Sequence, residues 1–422
     1  MFIHELENWT KFSYDSLNLI DLVADVNRVV GTFNGRLKSI GLDQQMLSSV
    51  ESATVNIVAS GEVEGISLNT AEVRSSVARK LGVPIKEETT PSHYVEGIVD
   101  MFLDAVMNYQ QPLTHERLFM WHRLLFPNGT GGMEDIHVGQ YRANEMSVVS
   151  GTYGRERIHY RAVAPDKVPV EMDVFLQWFN NPAIKPSFIK SAIAHLWFVS
   201  IHPFDDGNGR IGRALSDMIF AQIEDTGRRF FSISKQINKD KKHYYEVLER
   251  TQRGNGDVTD WIAWYLQCIR AAVEDSDALL SMVLRKAIFW RNHAELVVST
   301  RQRDILNIYL DGYDAKITVK NWSKLAAVSK DTALRDINDL VEKKVLEPAR
   351  GKVRNISYSI LYVQSEEMVF SNVKIADHVI TVTYAGKDYS DRLMDSDLAR
   401  LEAEEVAEKE LAYKYFSYLL TD

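Results

Sequence analysis

The chain has 422 residues, with 49 Lys and Arg against 58 Asp and Glu, so its formal net charge is −9. A content of 45% hydrophobic and 25% charged residues is typical of a globular protein and excludes a disordered or fibrous one. The length predicts about two to four domains. The acidic balance disfavours non-specific binding of nucleic acid by the chain as a whole.

Cysteine content and the N-terminal residues indicate the compartment. Cys268 is the only cysteine, which excludes an intrachain disulfide and fits a reducing environment. The first residues lack the basic and apolar regions of a signal peptide. No apolar stretch approaches the roughly 18 residues of a membrane span. We therefore expect a cytoplasmic protein that makes no contact with a membrane.

Residues 1–90 are predicted to form a helical N-terminal region. One apolar stripe at helical spacing is formed by Leu17, Ile20, Val23, Val26 and Val30. Further on, Ser60 and Glu64 are one helical turn apart, and Gly65 is placed as a C-terminal cap. Taken alone, these three residues indicate an ordinary helix end.

A β-hairpin is predicted inside the next region, residues 91–275. The apolar runs that flank its glycine-containing turn, Ser150–Gly154, are Ser147–Val149 and Arg157–Tyr160. The free edge of such a hairpin can pair with an extended peptide segment through the backbone. An ordinary surface hairpin would have the same pattern.

The segment His202–Arg213, with the sequence HPFDDGNGRIGR, is the most informative part of the chain. Gly207 and Gly209 allow a turn whose N–H groups converge on an anion. Apolar residues at helical spacing follow directly, so the turn lies at a helix N-terminus, which favours phosphate. The residues of this helix pattern are Ile211, Ala214, Leu215, Met218, Ile219 and Ile223.

Four side chains of this segment have complementary chemistry. Arg210 and Arg213 are three residues apart, so they share one helix face and can reach the same ligand. Asp206 offers the hard oxygen that Mg²⁺ prefers, and His202 is the side chain best suited to accept a proton at neutral pH. The set fits a site that binds a metal-bound polyphosphate and activates a hydroxyl group.

A dinucleotide site is the alternative interpretation, because residues 207–212 also fit the G-x-G-x-x-G fingerprint. That fingerprint requires a preceding strand, whereas Ser187–Ile201 has a helical pattern. A dehydrogenase would also leave His202, Asp206 and Arg213 without a role.

Three C-terminal parts are predicted after residue 275: a helical connector at 276–299, a unit at 300–362 and an extension at 363–422. The middle unit resembles a winged-helix domain, with Ser329 as the cap of its second helix and a wing at Gly351–Arg354. Ile337, Leu340 and Val341 are its predicted buried face. Between Lys316 and Ile356 there are ten Lys or Arg and five Asp or Glu. Such domains dock on DNA or on proteins.

The last residues have the weakest pattern. Val379–Tyr384 is a predicted strand. From Asp388 onward there are ten acidic residues and four Lys or Arg, which indicates an amphipathic acidic helix that packs on the body or joins two copies in a homodimer. A solvated tail is the alternative.

The run HPFDDGNGRIGR resembles the active-site motif of the Fic family, H-P-F-x-D/E-G-N-G-R-x-x-R, at every defined position. Gly139–Arg142 resembles the family's G-x-Y/F-R element, and the hairpin resembles its flap. The resemblance implies transfer of AMP from ATP to a Ser, Thr or Tyr hydroxyl of a target protein and of the enzyme itself, with Mg²⁺. Together with the separate winged-helix pattern at 300–362, it implies a mainly α fold: a helical Fic core with a β-hairpin flap, an N-terminal helical region and a C-terminal winged-helix domain.

Residue roles follow from this resemblance. His202 is the implied base and Asp206 the implied metal ligand; residues Gly207, Asn208, Gly209, Arg210, Ile211, Gly212 and Arg213 would bind the phosphates, with the Asn208 side chain on the transferred one. The adenosine side would be lined by Tyr244, Tyr245 and Gln252. The flap residues that would meet the target are Val149, Ile158, His159 and Tyr160.

The segment Ser60–Gly65 resembles the family's inhibitory motif, S/T-x-x-x-E-G/N. The resemblance implies that Glu64 pairs with Arg213 and competes with the outer phosphate of ATP, so that Ser60, Glu64 and Gly65 restrain the enzyme. Two alternatives stay open: Glu64 serves to remove AMP again, or the chain is a DNA-binding regulator that senses nucleotide without turnover.

Overall fold

A computed structural model describes residues 1–38, 41–85, 88–131, 134–150, 157–293, 296–310, 313, 315–348, 356–361, 371–384, 387–393, 395–402 and 408–416. The chain divides into two compact units. The first comprises Met1–Gly35 and Gly41–Ser276, and the second comprises Arg36–Ile40 and Asp277–Asp422.

Helices dominate the first unit, and several start at a residue whose side chain caps the helix. Asn69, Ser92, Thr114, Ser187 and Ser232 each accept a hydrogen bond from a backbone N–H of the first turn. The helices are α1 (Ser16–Leu37), α2 (Leu42–Val63), α3 (Thr70–Leu81), α4 (His93–Met107), α5 (His115–Leu125), α6 (Val168–Phe179), α7 (Phe188–Ile201), α8 (Asn208–Glu224), α9 (Ile233–Lys239), α10 (Lys241–Gln252) and α11 (Thr259–Asn292), of which the C-terminal parts of α1 and α11 belong to the second unit.

The centre of the first unit is the pair α7 and α8, whose residues are almost all buried. Gly212 permits their close approach, since a Cβ at this position would lie 3.2 Å from Cγ1 of Val199. Gly97 has the same function between α4 and α5, where a Cβ would lie 2.1 Å from the carbonyl oxygen of Leu124. The predicted helix at Ser187–Ile201 is confirmed, which removes the strand that a dinucleotide site needs.

The predicted N-terminal stripe is wrong in part. Helix α1 forms, but Leu17 and Ile20 are exposed, by 80% and 60%. The face that is buried consists of Leu19, Val26, Val29, Val30, Phe33 and Leu37. Helical spacing identified the helix, but two stripes fit the spacing and only packing selects between them.

Two small antiparallel strand pairs complete the first unit: β1 (Thr130–Gly131) with β2 (Glu134–Asp135), and β3 (Ser147–Ser150) with β4 (Arg157–Arg161). The β3–β4 hairpin is the predicted one and is called the flap below. Its register shifts between Val148 and Val149. The part of the predicted turn after Ser150 lies outside the described residues.

The second unit contains a helix–turn–helix with an adjoining strand pair. Its members are α12 (Thr300–Leu310), α13 (Val319–Ala326), α14 (Lys330–Glu342), β5 (Leu346–Pro348) and β6 (Tyr358–Ile360). As predicted, Ser329 caps α14 by accepting from the N–H of Thr332, at 3.2 Å. Ile337 and Leu340 are buried and Val341 is partly buried. Gly351–Arg354, the predicted wing, lies outside the described residues.

Beyond the strand pair, β7 (Ser371–Ala376), β8 (Val379–Tyr384) and β9 (Lys387–Arg392) form an antiparallel sheet in that order. Two short helices follow, α15 (Asp395–Glu402) and α16 (Glu408–Phe416). The predicted strand Val379–Tyr384 is confirmed. The predicted acidic helix is found in part, since Leu398 and Leu401 lie in α15 and Glu408 begins α16, whereas residues 387–392 pair with β8. Within the described residues, no helix is both long and apolar enough to span a bilayer.

Candidate active site

His202 lies at the end of α7 in the left-handed backbone conformation, with φ of 53°. Its Nδ1–H donates to the carbonyl of Val199 at 3.2 Å, which leaves Nε2 with a free lone pair. Burial lowers the pKa of the His202 imidazole, and the positive charge of Arg142 lowers it further. The ring is therefore neutral near pH 7 and able to accept a proton.

Arg142 organises the backbone around His202. This guanidinium is 2% exposed, and its Nε donates to the carbonyl of His202 at 2.7 Å. Its other nitrogens donate to the carbonyls of Asn144 and Val163. The arginine of the Gly139–Arg142 element thus ties the base of the flap to the end of α7, a function that the sequence analysis did not assign.

The loop after His202 is closed by Asn208. The Asn208 side chain accepts from the N–H of Phe204 at 3.0 Å and donates to its carbonyl at 2.8 Å. Phe204 uses one donor and one acceptor site of this amide, and the contact of Asn208 with a phosphate stays a prediction. Gly207 has φ of 83°, and a Cβ there would lie 2.9 Å from the Phe126 ring. The loop is fixed before any ligand arrives.

Helix α8 points its N-terminus at this loop, as the sequence predicts. Asp206, just before it, is about half exposed, with 46% of its side chain accessible, and accepts from the N–H of Gly207 at 2.5 Å. A cleft of about 280 Å³ opens here, lined by Tyr94, Phe126, Asp206 and Arg210 among others. The amides of a helix N-terminus and its dipole favour an anion at such a place.

Arg210 is prepared for a ligand. It is 2% exposed, its guanidinium lies over the Phe126 ring at 4.9 Å, and its Nη1 donates to the Tyr94 hydroxyl at 3.2 Å. Its Nε and Nη2 are buried without a hydrogen-bond acceptor in the described part of the chain, and Nη2 has only an ion-pair contact, 3.6 Å from Oδ1 of Asp206. Buried guanidinium donors normally have acceptors, so these two atoms indicate that an anion belongs in the cleft.

Arg213 is held by helix α2. Its Nη1 lies 2.9 Å from Oε1 of Glu64, its Nε donates to the Ser60 hydroxyl at 2.9 Å, and its Nη2 donates to the Ser60 carbonyl at 2.8 Å. Glu64 is the C-terminal cap residue of α2, and Gly65 follows with φ of 76°. The structure therefore brings Glu64 and Ser60 to Arg213, as the resemblance implies.

The Glu64 carboxylate also lies against the first turn of α8. A Cβ on Gly209 would lie only 2.0 Å from Oε1 of Glu64. Gly209 thus leaves room for a carboxylate at the positive end of the helix. This carboxylate lies where the helix N-terminus would bind an anionic ligand.

One further contact between α2 and α8 lies one helical turn before Ser60. Asn56, four residues before Ser60, donates to Oδ2 of Asp217 at 2.7 Å and accepts from the Ser232 hydroxyl at 2.6 Å. Burial raises the pKa of Asp217 to about 6, against the opposing effect of Arg229. Asn56 and Asp217 are 161 residues apart, and no sequence pattern links them.

Several residues assigned to the adenosine and phosphate sites are buried instead. Tyr244 is 3% exposed with its hydroxyl 3.1 Å from Nε2 of His195, and Gln252 is 4% exposed and donates to the Ser200 hydroxyl. Ile211 is fully buried, and Gly212 faces α7. Only Tyr245, 38% exposed, keeps an accessible surface among the three predicted adenosine residues. The side chains of Tyr244, Gln252 and Ile211 are thus packed inside the protein, and the assignment of these residues and of Gly212 to ligand contacts stays a prediction.

The flap presents two of its four predicted residues. Val149 and Ile158 are paired across the strands and are 49% and 39% exposed. Tyr160 is 1% exposed and donates its hydroxyl hydrogen to the Ser200 carbonyl at 2.7 Å, so its side chain faces inward, and its contact with a target stays a prediction. His159 is partly buried between Ser150, at 2.5 Å from Nε2, and Glu249, at 2.6 Å from Nδ1.

A metal would have one carboxylate here. Asp205 is turned to His137, accepting from its N–H at 2.8 Å, so Asp206 is the carboxylate that lines the cleft, with its Oδ1 3.6 Å from Nη2 of Arg210. The described residues contain no cluster of three or more metal-ligating side chains. This donor set fits Mg²⁺, which commonly takes one or two carboxylates and completes its shell with phosphate oxygens and water.

These features define a site where a neutral imidazole stands beside an anion-binding helix N-terminus. Residues 112–220 match the model of the Fic/DOC family, and residues 2–83 match that of a domain of unknown function, DUF4172. The Fic/DOC match includes the whole of His202–Arg213.

Relatives and solved structures were also found. The protein adenylyltransferase Fic of Nematostella vectensis is 25% identical over 231 residues, which are 52% of this chain and 47% of that protein. The protein of that name from Drosophila erecta is 22% identical over 57% of this chain and 47% of its own length. The chain thus spans about half the length of these curated relatives. The crystal structure of a Fic family protein from Desulfovibrio desulfuricans G20 is 20% identical over 81% of this chain and 95% of that one, with a TM-score of 0.48.

Proposed function

We propose that the protein is an adenylyltransferase that moves AMP from ATP to a hydroxyl side chain of a target protein. The observation that carries the proposal is the pair of unsatisfied buried donors on Arg210 beside the neutral His202 and the N-terminus of α8. The curated relatives are named protein adenylyltransferase, which supports this reaction.

In the proposed reaction, Nε2 of His202 accepts the proton of the target hydroxyl, whose oxygen attacks the α-phosphorus of ATP. The bond between the α-phosphorus and the bridging oxygen breaks, and pyrophosphate leaves with the electron pair. The amides at the start of α8 and the guanidinium of Arg210 stabilise the negative charge. Asp206 would hold Mg²⁺, whose charge offsets that of the phosphates. Positioning and electrostatics of this kind account for most of the catalysis in phosphoryl transfer.

We propose that Glu64 restrains this reaction. Its carboxylate already occupies Arg213 and the first turn of α8, so the outer phosphate of ATP meets a negative charge and an occupied guanidinium. Ser60 strengthens the same contact through two hydrogen bonds. Glu64 must move away before ATP binds in the reactive arrangement.

The flap is proposed to dock the target. Val149 and Ile158 are its exposed apolar pair, and a strand edge can bind an extended segment by backbone pairing. The DNA-binding alternative has no comparable support, because the exposed face of α14 carries Lys330 and Arg335 but also Asp331 and Glu342.

The test is label transfer from [α-³²P]ATP in the presence of Mg²⁺. His202→Ala should lose self-labelling by at least about a hundredfold, since general-base catalysis contributes about 10²–10⁴-fold, while binding of a fluorescent ATP analogue is retained. His137→Ala is the matched control, because His137 contacts only the side of the loop through Asp205. Full labelling by His202→Ala would refute the assigned base.

A further inference from the structure

We propose that the N-terminal segment, residues 1–13, positions strand β4 of the flap relative to His202 and so determines how a target hydroxyl is presented. The inference rests on the proposed function for its consequence, but its structural part concerns only the segment, the flap and α7. The inference assigns a role to the first residues of the region that matches DUF4172.

The segment first contacts the flap through its aromatic residues. Nδ1 of His4 lies 3.0 Å from the Tyr160 hydroxyl, and the Phe2 ring meets the Tyr160 ring edge-on at 5.3 Å. Tyr160 gives its own hydrogen to the Ser200 carbonyl, so His4 must donate here. Tyr160 is thereby fixed from both sides, by His4 and by α7.

Arg253 joins the same arrangement from the end of α10. Its guanidinium lies over the Phe2 ring at 4.9 Å, and its nitrogens donate to the carbonyl of Ile158 at 2.6 Å and of His159 at 3.1 Å. Phe2 therefore supports the guanidinium that holds the backbone of β4. Ile158 is one of the two exposed residues proposed to meet the target.

The other end of the segment is fixed on α7. The rings of Trp9 and Phe12 pack edge-on against Trp197, at 6.2 and 5.5 Å. Ser13 then pairs with the loop before α11, donating to the Gly256 carbonyl at 3.0 Å and accepting from the Val258 N–H at 2.9 Å. Since α7 ends at His202, one short stretch of chain contacts both the flap and the helix that carries the base.

The ATP-binding residues are not part of this arrangement. In the described structure, no hydrogen bond or ring contact of residues 1–13 involves Asp206, Arg210 or Arg213. Loosening the segment should therefore change the flap and the presentation of the hydroxyl without changing nucleotide binding. His4 and Phe2 are positioning residues in this scheme.

The experiment compares Phe2→Ala and His4→Ala in the full chain carrying Glu64→Gly, with any tag at the C-terminus. Hydrogen exchange of the backbone amides of residues 157–161 should become about tenfold faster, the size expected for losing one buried contact. Self-labelling should fall several-fold, while the affinity for a fluorescent ATP analogue changes less than about twofold. His4→Gln, which keeps an N–H donor, should restore most of the protection.

Leu17→Ala is the control, because Leu17 lies on α1 with 80% of its side chain exposed. Unchanged exchange at residues 157–161 in both variants would overturn the inference. Equal acceleration throughout α7 and α8 would also overturn it, since that would show a general loss of stability. If the exchange at residues 157–161 accelerates as expected but the protein with Glu64→Gly alone transfers no label, the proposed function fails while the positioning role stands.

Discussion

Replacing Glu64 by Gly should raise the rate of AMP transfer by about tenfold to a hundredfold. The carboxylate is removed from an ion pair with N–O distance 2.9 Å, in which Arg213 is 1% exposed and Glu64 28% exposed. Nη1 of Arg213 lacks hydrogen-bond geometry in this contact, which is therefore an ion pair, and close charge pairs couple by about 1.5 kcal/mol or more. Each 1.4 kcal/mol corresponds to about tenfold in the population of the released form.

The Glu64→Gly substitution should leave helix α2 folded and in place. Glu64 is already at the C-terminal cap position of α2, with φ of −91° and ψ of 8°, so glycine there leaves the helix intact. The two hydrogen bonds from Arg213 to Ser60 persist, which keeps α2 in place. The gain in rate should therefore come from the guanidinium of Arg213, which no longer faces a carboxylate, and not from unfolding.

Initial rates of label incorporation would be measured for the parent, Glu64→Gly, Glu64→Gln and Glu62→Gly. Glu64→Gln loses the charge but keeps the size, so an intermediate rate is expected. Glu62 is the control, because it is exposed on the same helix and accepts from Asn238 at 2.7 Å, away from Arg213. Rates for Glu64→Gly at or below the parent rate, with ATP binding unimpaired, would refute the inhibitory role.

Two predictions concern stability. Because the pKa of Asp217 is raised, the folded state keeps a proton between about pH 4 and 6 that the unfolded state has already released, so this group lowers the free energy of unfolding as the pH rises through that window. In urea unfolding at pH 4 to 7, the free energy of unfolding of Asp217→Asn should therefore rise relative to that of the parent with increasing pH. Parallel curves for the two proteins would contradict the assignment. Gly97→Ala should cost about 1–3 kcal/mol or more by forcing α4 from α5. Gly31→Ala, with open space at its Cβ, should leave Tm unchanged or slightly raised, and equal Tm values for both alanine variants would count against the packing argument.

The local features of the site could be predicted from the sequence. The glycine turn, the following helix and the shared face of Arg210 and Arg213 all depend on residues within a few positions of one another, where backbone geometry decides. The flap strands and the cap at Ser329 are of the same kind. Glu64 was placed on Arg213 only through the family resemblance, because periodicity gives no information about contacts between distant helices.

The features that the sequence did not reveal depend on packing between distant segments. Tyr244 and Tyr245 are neighbours in sequence, yet one is buried against His195 and the other is accessible. Tyr160 faces inward because the Ser200 carbonyl and His4 lie beneath it. Asn56 and Asp217 meet only because α2 lies against α8. None of these contacts is specified by spacing along the chain.

The closed loop at Phe204 has a consequence for affinity. Since Asn208 already fixes both backbone groups of that residue, a nucleotide enters a preorganised cradle and little conformational entropy is lost in shaping it. Under the proposed function, binding of the nucleotide then depends on whether Glu64 leaves Arg213. Regulation would act on access to a site that is already formed.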